Sequence, residues 1–174
     1  NAFSSSYKGG DNYQLLGTSH PNLAGGTWSN KPSTDVDISE AALEQAVIDI
    51  AGFTNDRGLL IAVRPKALII PRQLTFEAKR ILGSEGRVGS DLNDLNALKD
   101  MALIPSVVVN HFLTDVDAWF IRTDVPNGMK YFERRGDSFD MDNDFDTENA
   151  KYKATARYSF GWTDPRGLYG SQGA

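Results

Sequence analysis

Hydrophobic positions recur at helical spacing in two stretches of the chain. Over residues 37–51, Ala42, Leu43, Ala46, Val47 and Ile50 fall on one face while Glu40, Glu44, Gln45 and Asp49 fall mainly on others, which predicts an amphipathic helix. Asp37 with Glu40 three residues on resembles a capping box, and Gly52 is placed to end the helix. The second stretch opens at Pro71, with Leu74, Ala78, Ile81 and Leu82 on one face and Gly83 as its stop. Between the two helices, residues 59–63 and 67–70 are short apolar runs bounded by Gly58, Pro65 and Pro71, and they read as buried strands.

Further along, Leu92, Leu95 and Leu98 recur at threefold spacing inside a segment, 83–100, that also holds three glycines; a mobile loop followed by a turn or two of helix is expected. Apart from Pro105 and Ser106, residues 103–109 are apolar on both parities, which predicts a central strand, with Pro105 demanding an edge, an end or a bulge at that point. Residues 118–122 and 129–134 are two more strands, expected to form a hairpin through Pro126-Asn127-Gly128. From 150 to 160 the alternation is clean. Ala150, Tyr152, Ala154, Ala156, Tyr158 and Phe160 lie on one face and Lys151, Lys153, Thr155, Arg157 and Ser159 on the other, so a long strand with one buried face is expected. An aspartate at 152, 154 or 158 would then abolish folding. Asp164-Pro165-Arg166-Gly167 closes that strand with a turn, and 168–174 reads as a Gly-rich tail. Residues 1–36 lack any period, but Phe3, Tyr7, Tyr13 and Trp28 mark them as an ordered segment lying over the core.

Composition narrows the function classes. The 174 residues are 40% hydrophobic and 24% charged, enough for one domain or two small lobes with a real core. The chain has no cysteine, so disulfides, thiolate metal sites and cysteine nucleophiles are excluded. Eighteen basic against 23 acidic residues leave a net charge of −5, the wrong sign for a protein whose main partner is a phosphate backbone. No run approaches the roughly 18 apolar residues of a membrane helix, so no membrane partner and a soluble protein are expected. Asn1 in place of Met suggests a fragment.

Candidate chemistry is sparse. Asp140, Asp142, Asp144, Asp146 and Glu148 begin like a calcium loop, but the sixth and twelfth positions hold Phe145 and Lys151 where an EF-hand needs Gly and Glu. A solvated acidic stretch anchored by Phe139, Met141 and Phe145 is expected instead. His20 and His111 are the only histidines and neither has metal-ligand spacing, so a structural role is expected for both. Gly9-Gly10 and Gly25-Gly26 neither follow a strand nor open a helix, and no nucleophile elbow is present. Arg57, Arg64, Lys66, Arg72, Lys79 and Arg80 are expected to pair with acids around 35–56 or 137–148, in the chain or in a neighbouring copy. No catalytic, cofactor-binding or metal-ligating residue is therefore assigned.

The residues also carry a family resemblance. Arg64-Pro65-Lys66-Ala67-Leu68-Ile69-Ile70-Pro71, the helix through Arg80-Ile81-Leu82 and the Gly/Ser-rich loop after it resemble the middle of tailed-bacteriophage and prophage major capsid proteins. Asp115 to Arg122, Phe132-Glu133-Arg134, Asp144-Phe145-Asp146-Thr147 and Ala156 to Gly167 are similar to the ordered closing motifs of that family, and Asn1-Ala2-Phe3 and Thr18-Ser19-His20-Pro21 to the stretch after its spine helix. The resemblance implies the α+β tailed-phage capsid fold, with an axial lobe over 37–128 inserted in a peripheral lobe made of 1–36 and 129–174. Residues 83–100 would lie near the local five- or six-fold axis. The N-terminal arm, extended hairpin loop and spine helix of the family have no counterpart here. It further implies a non-enzymatic virion protein, assembled in the host cytoplasm, whose partners are copies of itself in hexamers and pentamers, with scaffold or decoration proteins, enclosing DNA without reading its sequence. An encapsulin-like cargo shell and a small metal-dependent hydrolase using His20 or His111 are the competing readings.

Overall fold

The computed structural model describes residues 2–87 and 94–174. In chain order, β1 (His20–Pro21) and β2 (Thr27–Trp28) form a small antiparallel hairpin; α1 (Glu40–Ala51), β3 (Pro65–Ile70), α2 (Thr75–Gly83), the short α3 (Ala97–Asp100), β4 (Val107–Val109) and β5 (Trp119–Thr123) follow. The long strands β6 (Met129–Asn143) and β7 (Ala150–Trp162) come next, followed by β8 (Leu168–Ser171). The class is α+β, as expected.

Both predicted helices are present, and their buried residues are the predicted ones: Leu43, Ala46 and Ile50 on α1, Ala78 and Ile81 on α2. The cap of α1 differs from expectation. Ser39, not Asp37, accepts the Ala42 amide at 3.1 Å, because Asp37 lies two residues farther out and accepts the amide of Ala174 instead.

The central sheet has the order β4-β3-β5-β8, with β3 and β4 parallel and the other pairs antiparallel. Its register puts Leu68, Ile121 and Tyr169 on the face covered by α1, α2 and α3, and Ile69 and Phe120 on the opposite face, where Phe3, Leu15 and Leu16 of the N-terminal segment pack. The described part of the N-terminal segment, residues 2–36, thus packs on the core through Phe3, Leu15 and Leu16, as predicted for this segment. Gly170 sits opposite Phe120; a Cβ there would stand 2.8 Å from the Phe120 ring and the same distance from the Trp119 carbonyl, so only glycine fits.

Several sequence expectations fail for tertiary reasons. Residues 59–63 form no strand of the sheet: the Asn55 side chain takes the Arg57 and Leu59 amides in the turn before them, Leu60 makes only an isolated antiparallel bridge to Thr54, and Leu59 and Leu60 are exposed while Val63 is buried. The strand expected over 103–109 shrinks to β4 and lies at the edge of the sheet, since it pairs with β3 alone. The expected hairpin between 118–122 and 129–134 does not form, because β3 and β8 already occupy both edges of β5. The supposed tail is β8, buried throughout its length. Of the 83–100 segment, residues 88–93, including Leu92 and most of the expected mobile loop, lie outside the described residues; Leu98 is buried on α3, while Leu95 is exposed.

Candidate functional site

The alternation over 150–160 does make a long strand, but not one buried within the chain. β7 pairs with β6 alone, giving a two-stranded ribbon that by strand rise reaches about 40 Å. Register keeps Tyr131 opposite Phe160, Phe139 opposite Ala154 and Met141 opposite Tyr152, so the predicted apolar side chains do share one face. Among the described residues it is left largely uncovered: Tyr152 is 78%, Phe160 74% and Phe139 82% exposed. Tyr131, Tyr158 and Phe160 cluster with ring centroids 5.3–5.8 Å apart. An aspartate at 152, 154 or 158 therefore meets solvent and does not bury an unpaired charge, contrary to the expected loss of folding. The opposite face is polar; there Asp140 faces Lys153 across the strands, 3.7 Å apart. β6 carries register shifts between Glu133 and Ser138, whereas β7 runs without one.

The ribbon's far end is the acidic stretch. Asp144 pairs with Lys151 at 2.6 Å, and this hydrogen bond, with one from Thr147, holds its carboxyl below the usual carboxylate range. Phe139, Met141 and Phe145 do not anchor the stretch; all three point into solvent, Phe145 at 96% exposure. Among the described residues, no three His, Cys, Asp or Glu side chains are grouped to hold a metal ion.

At the ribbon's root lies a polar hub that sequence reasoning missed. Asn30, fully buried, donates to the carbonyls of Leu15, Pro165 and Leu168 at 2.7–3.1 Å, and its amide oxygen accepts the Gly17 amide at 2.9 Å. His20 completes the hub, with Nδ1 2.7 Å from an Asp11 carboxylate oxygen, Nε2 3.1 Å from the Asn30 amide oxygen, and its ring stacked on Trp28 at 4.7 Å. Arg166, also buried, donates to the Thr54 carbonyl, reaches Asp56 at 3.0 Å and Asp164 at 3.3 Å, and lies over Trp28 at 4.5 Å. Nothing in the local sequence distinguishes Asn30 from the other polar residues of its loop. The hub ties the N-terminal segment to the turn before β8. A histidine buried with both nitrogens engaged is a structural element and offers no free base. His111 is exposed after β4, apart from this hub.

The remaining electrostatics concern the chain's own packing. Burial raises the Tyr169 hydroxyl far above its ordinary value, and its hydrogen bond to Asp49 at 2.6 Å adds to this. Asp117 is raised chiefly by a hydrogen bond to Asp115. Among the described residues, none of Arg57, Arg64, Lys66, Arg72, Lys79 and Arg80 forms an ion pair within the chain, so the intramolecular half of their expected pairing is not found. No helix among these residues is long and apolar enough to cross a membrane.

Comparison with known proteins gives three findings. A family model described as Phage capsid protein matches residues 2–171. No curated protein matches the sequence. Among solved structures, a chain from Mycobacterium phage Che8 is similar, with a TM-score of 0.44 and 14% identity, covering 81% of this chain and 52% of that one. This chain thus spans about half the length of that neighbour.

Proposed function

The chain belongs to the phage capsid protein family, and from this premise we propose that it is the self-associating part of a major head protein that builds an icosahedral shell through hexamers and pentamers. The observation that carries the reading is the family match across nearly the whole chain. The ribbon supports it: two strands alone are marginal in water, and a long uncovered apolar face fits a protein whose surface is completed by assembly. In this reading 37–128 form the axial lobe and 1–36 with 129–174 the peripheral lobe, with β8 returning to the axial sheet. In the same reading the described flanks of the 83–100 segment, residues 83–87 and 94–100, lie toward the local five- or six-fold axis.

The work is mechanical rather than chemical. The sheet and its two apolar layers hold the ribbon's root, the Asn30–His20–Arg166 hub keeps the N-terminal segment in place, and neighbouring copies bury the exposed side chains. Ring-building contacts join unlike surfaces of identical subunits and must close. A net charge of −5 suits a wall that encloses DNA without holding it tightly, and scaffold or decoration proteins are further partners of the shell. Assembly takes place in the host cytoplasm. No observation favours the cargo-shell or hydrolase readings.

Electron microscopy of the full-length parent, expressed in a bacterial host, tests the proposal. Closed particles are the expected result, and discrete monomers under every assembly condition overturn it.

A further inference from the structure

We propose that the acidic tip of the ribbon of one copy docks into a basic cavity at the root of the ribbon of the next copy, a head-to-tail contact that rests on the self-association reading above. The cavity, about 440 Å³, opens where the chain leaves the sheet to enter the ribbon, and Lys66 and Arg122 line it. The irregularity in β3 between Pro65 and Ala67 carries Lys66, and Ala67 is the register partner of Arg122, so the sheet presents both cations at one place. Neither side chain has an ion pair or hydrogen bond among the described residues. The one acid in the lining, Asp124, already accepts the Arg64 amide at 2.9 Å. The remaining wall is apolar at Val125, Pro126 and Met129.

The other end of the ribbon has the complementary character. Its turn is closed by hydrogen bonds from the Asp144 amide to the Asn149 carbonyl, 3.0 Å, and from the Glu148 amide to the Asp144 carbonyl, 2.9 Å. Asp146 and Glu148 make no ion pair among the described residues, and between them and the strands stands Phe145, the most exposed large hydrophobic residue described. Carboxylates beside a projecting aromatic match two cations beside an apolar wall, with Phe145 as the anchor. The ribbon's own length, about 40 Å, keeps tip and root of one copy apart, so the match is made between copies. Tip and root are unlike surfaces, so the contact is heterologous and propagates until it closes.

The test is sedimentation velocity on this chain in low and high salt, with two charge reversals. One is Lys66→Glu with Arg122→Glu; the other is Asp146→Lys with Glu148→Lys. All four side chains are exposed, so unfolding curves that match the wild type serve as the folding control. The expected result is concentration-dependent association of the wild type, weakened by salt, and a loss of at least about tenfold in affinity in each reversed variant alone. Mixing the two variants restores association, because each then carries the charge that the other's intact surface needs. Reversed variants that associate like the wild type, or a mixture that fails to associate, overturn the docking while leaving self-association standing. A wild type that stays monomeric at about 1 mM also overturns it, whereas the shell reading is judged separately by the particles of the full-length parent.

Discussion

Replacing Asn30 by alanine removes the side chain that holds the N-terminal segment against the turn before β8. The amide makes five hydrogen bonds: to the carbonyls of Leu15 (2.7 Å), Pro165 (2.9 Å) and Leu168 (3.1 Å), and from the Gly17 amide (2.9 Å) and the His20 ring (3.1 Å). The bond to Pro165 is part-exposed, so water replaces it; the other four are buried. An unmet buried polar group costs about 1–3 kcal/mol, and relaxation with water entry recovers part of the sum, so a loss of about 3–5 kcal/mol is expected. Asn30→Asp should be at least as damaging, because a carboxylate would face three carbonyl oxygens and donate to none. Urea unfolding followed by tryptophan fluorescence measures the difference, and hydrogen exchange at Gly17, whose amide loses its acceptor, localises it. A loss below about 1 kcal/mol, or an aspartate variant as stable as the wild type, would refute the claim that this hub fastens the segment.

Gly170→Ala should cost about 1–3 kcal/mol by overpacking, since the new methyl meets the Phe120 ring and Trp119 carbonyl at 2.8 Å; an unchanged melting temperature would contradict the β8 register. Tyr152→Asp, at a position 78% exposed, should shift the urea-derived stability of the isolated chain by no more than about 0.5 kcal/mol, and collapse of soluble protein would mean that the ribbon face is covered within one copy. The hydrogen bond from Lys151 holds the Asp144 carboxyl below the usual carboxylate range, so its contribution to folding is complete above the ordinary value of an unfolded aspartate and is lost as pH falls through the lower folded value. Exchange protection of the Glu148 amide, corrected for intrinsic rate, should therefore hold from neutral pH to about 5 and drop only under stronger acid; a drop centred near neutrality would exclude this pair as its cause.

How far the fold is legible follows from the range of the interactions involved. The faces of α1 and α2 and the alternation of β7 are local patterns, and the residues they nominate do share a face. The partner of each face is not local. Alternation in β7 says that Tyr152 and Phe160 share a face, but an apolar stripe awaiting a neighbour has the same period as one already buried, so the period does not decide burial. The absence of a β5–β6 hairpin likewise depends on β8, which returns from the end of the chain to take the edge that β6 would need. Its glycine suggests a flexible tail until the Phe120 ring pressing on Gly170 is known.

From sequence alone come the α+β class, two amphipathic helices, the long C-terminal strand, the absence of cysteine chemistry and the family resemblance, because each is written in residue type and spacing along a few turns or strands. The tertiary structure alone decides that the ribbon face is left exposed, that Asn30, His20 and Arg166 meet, and that Lys66 and Arg122 share a cavity with neither in an ion pair among the described residues. Those outcomes turn on pairings between residues as far apart as 30 and 168, and such contacts leave no period in the chain.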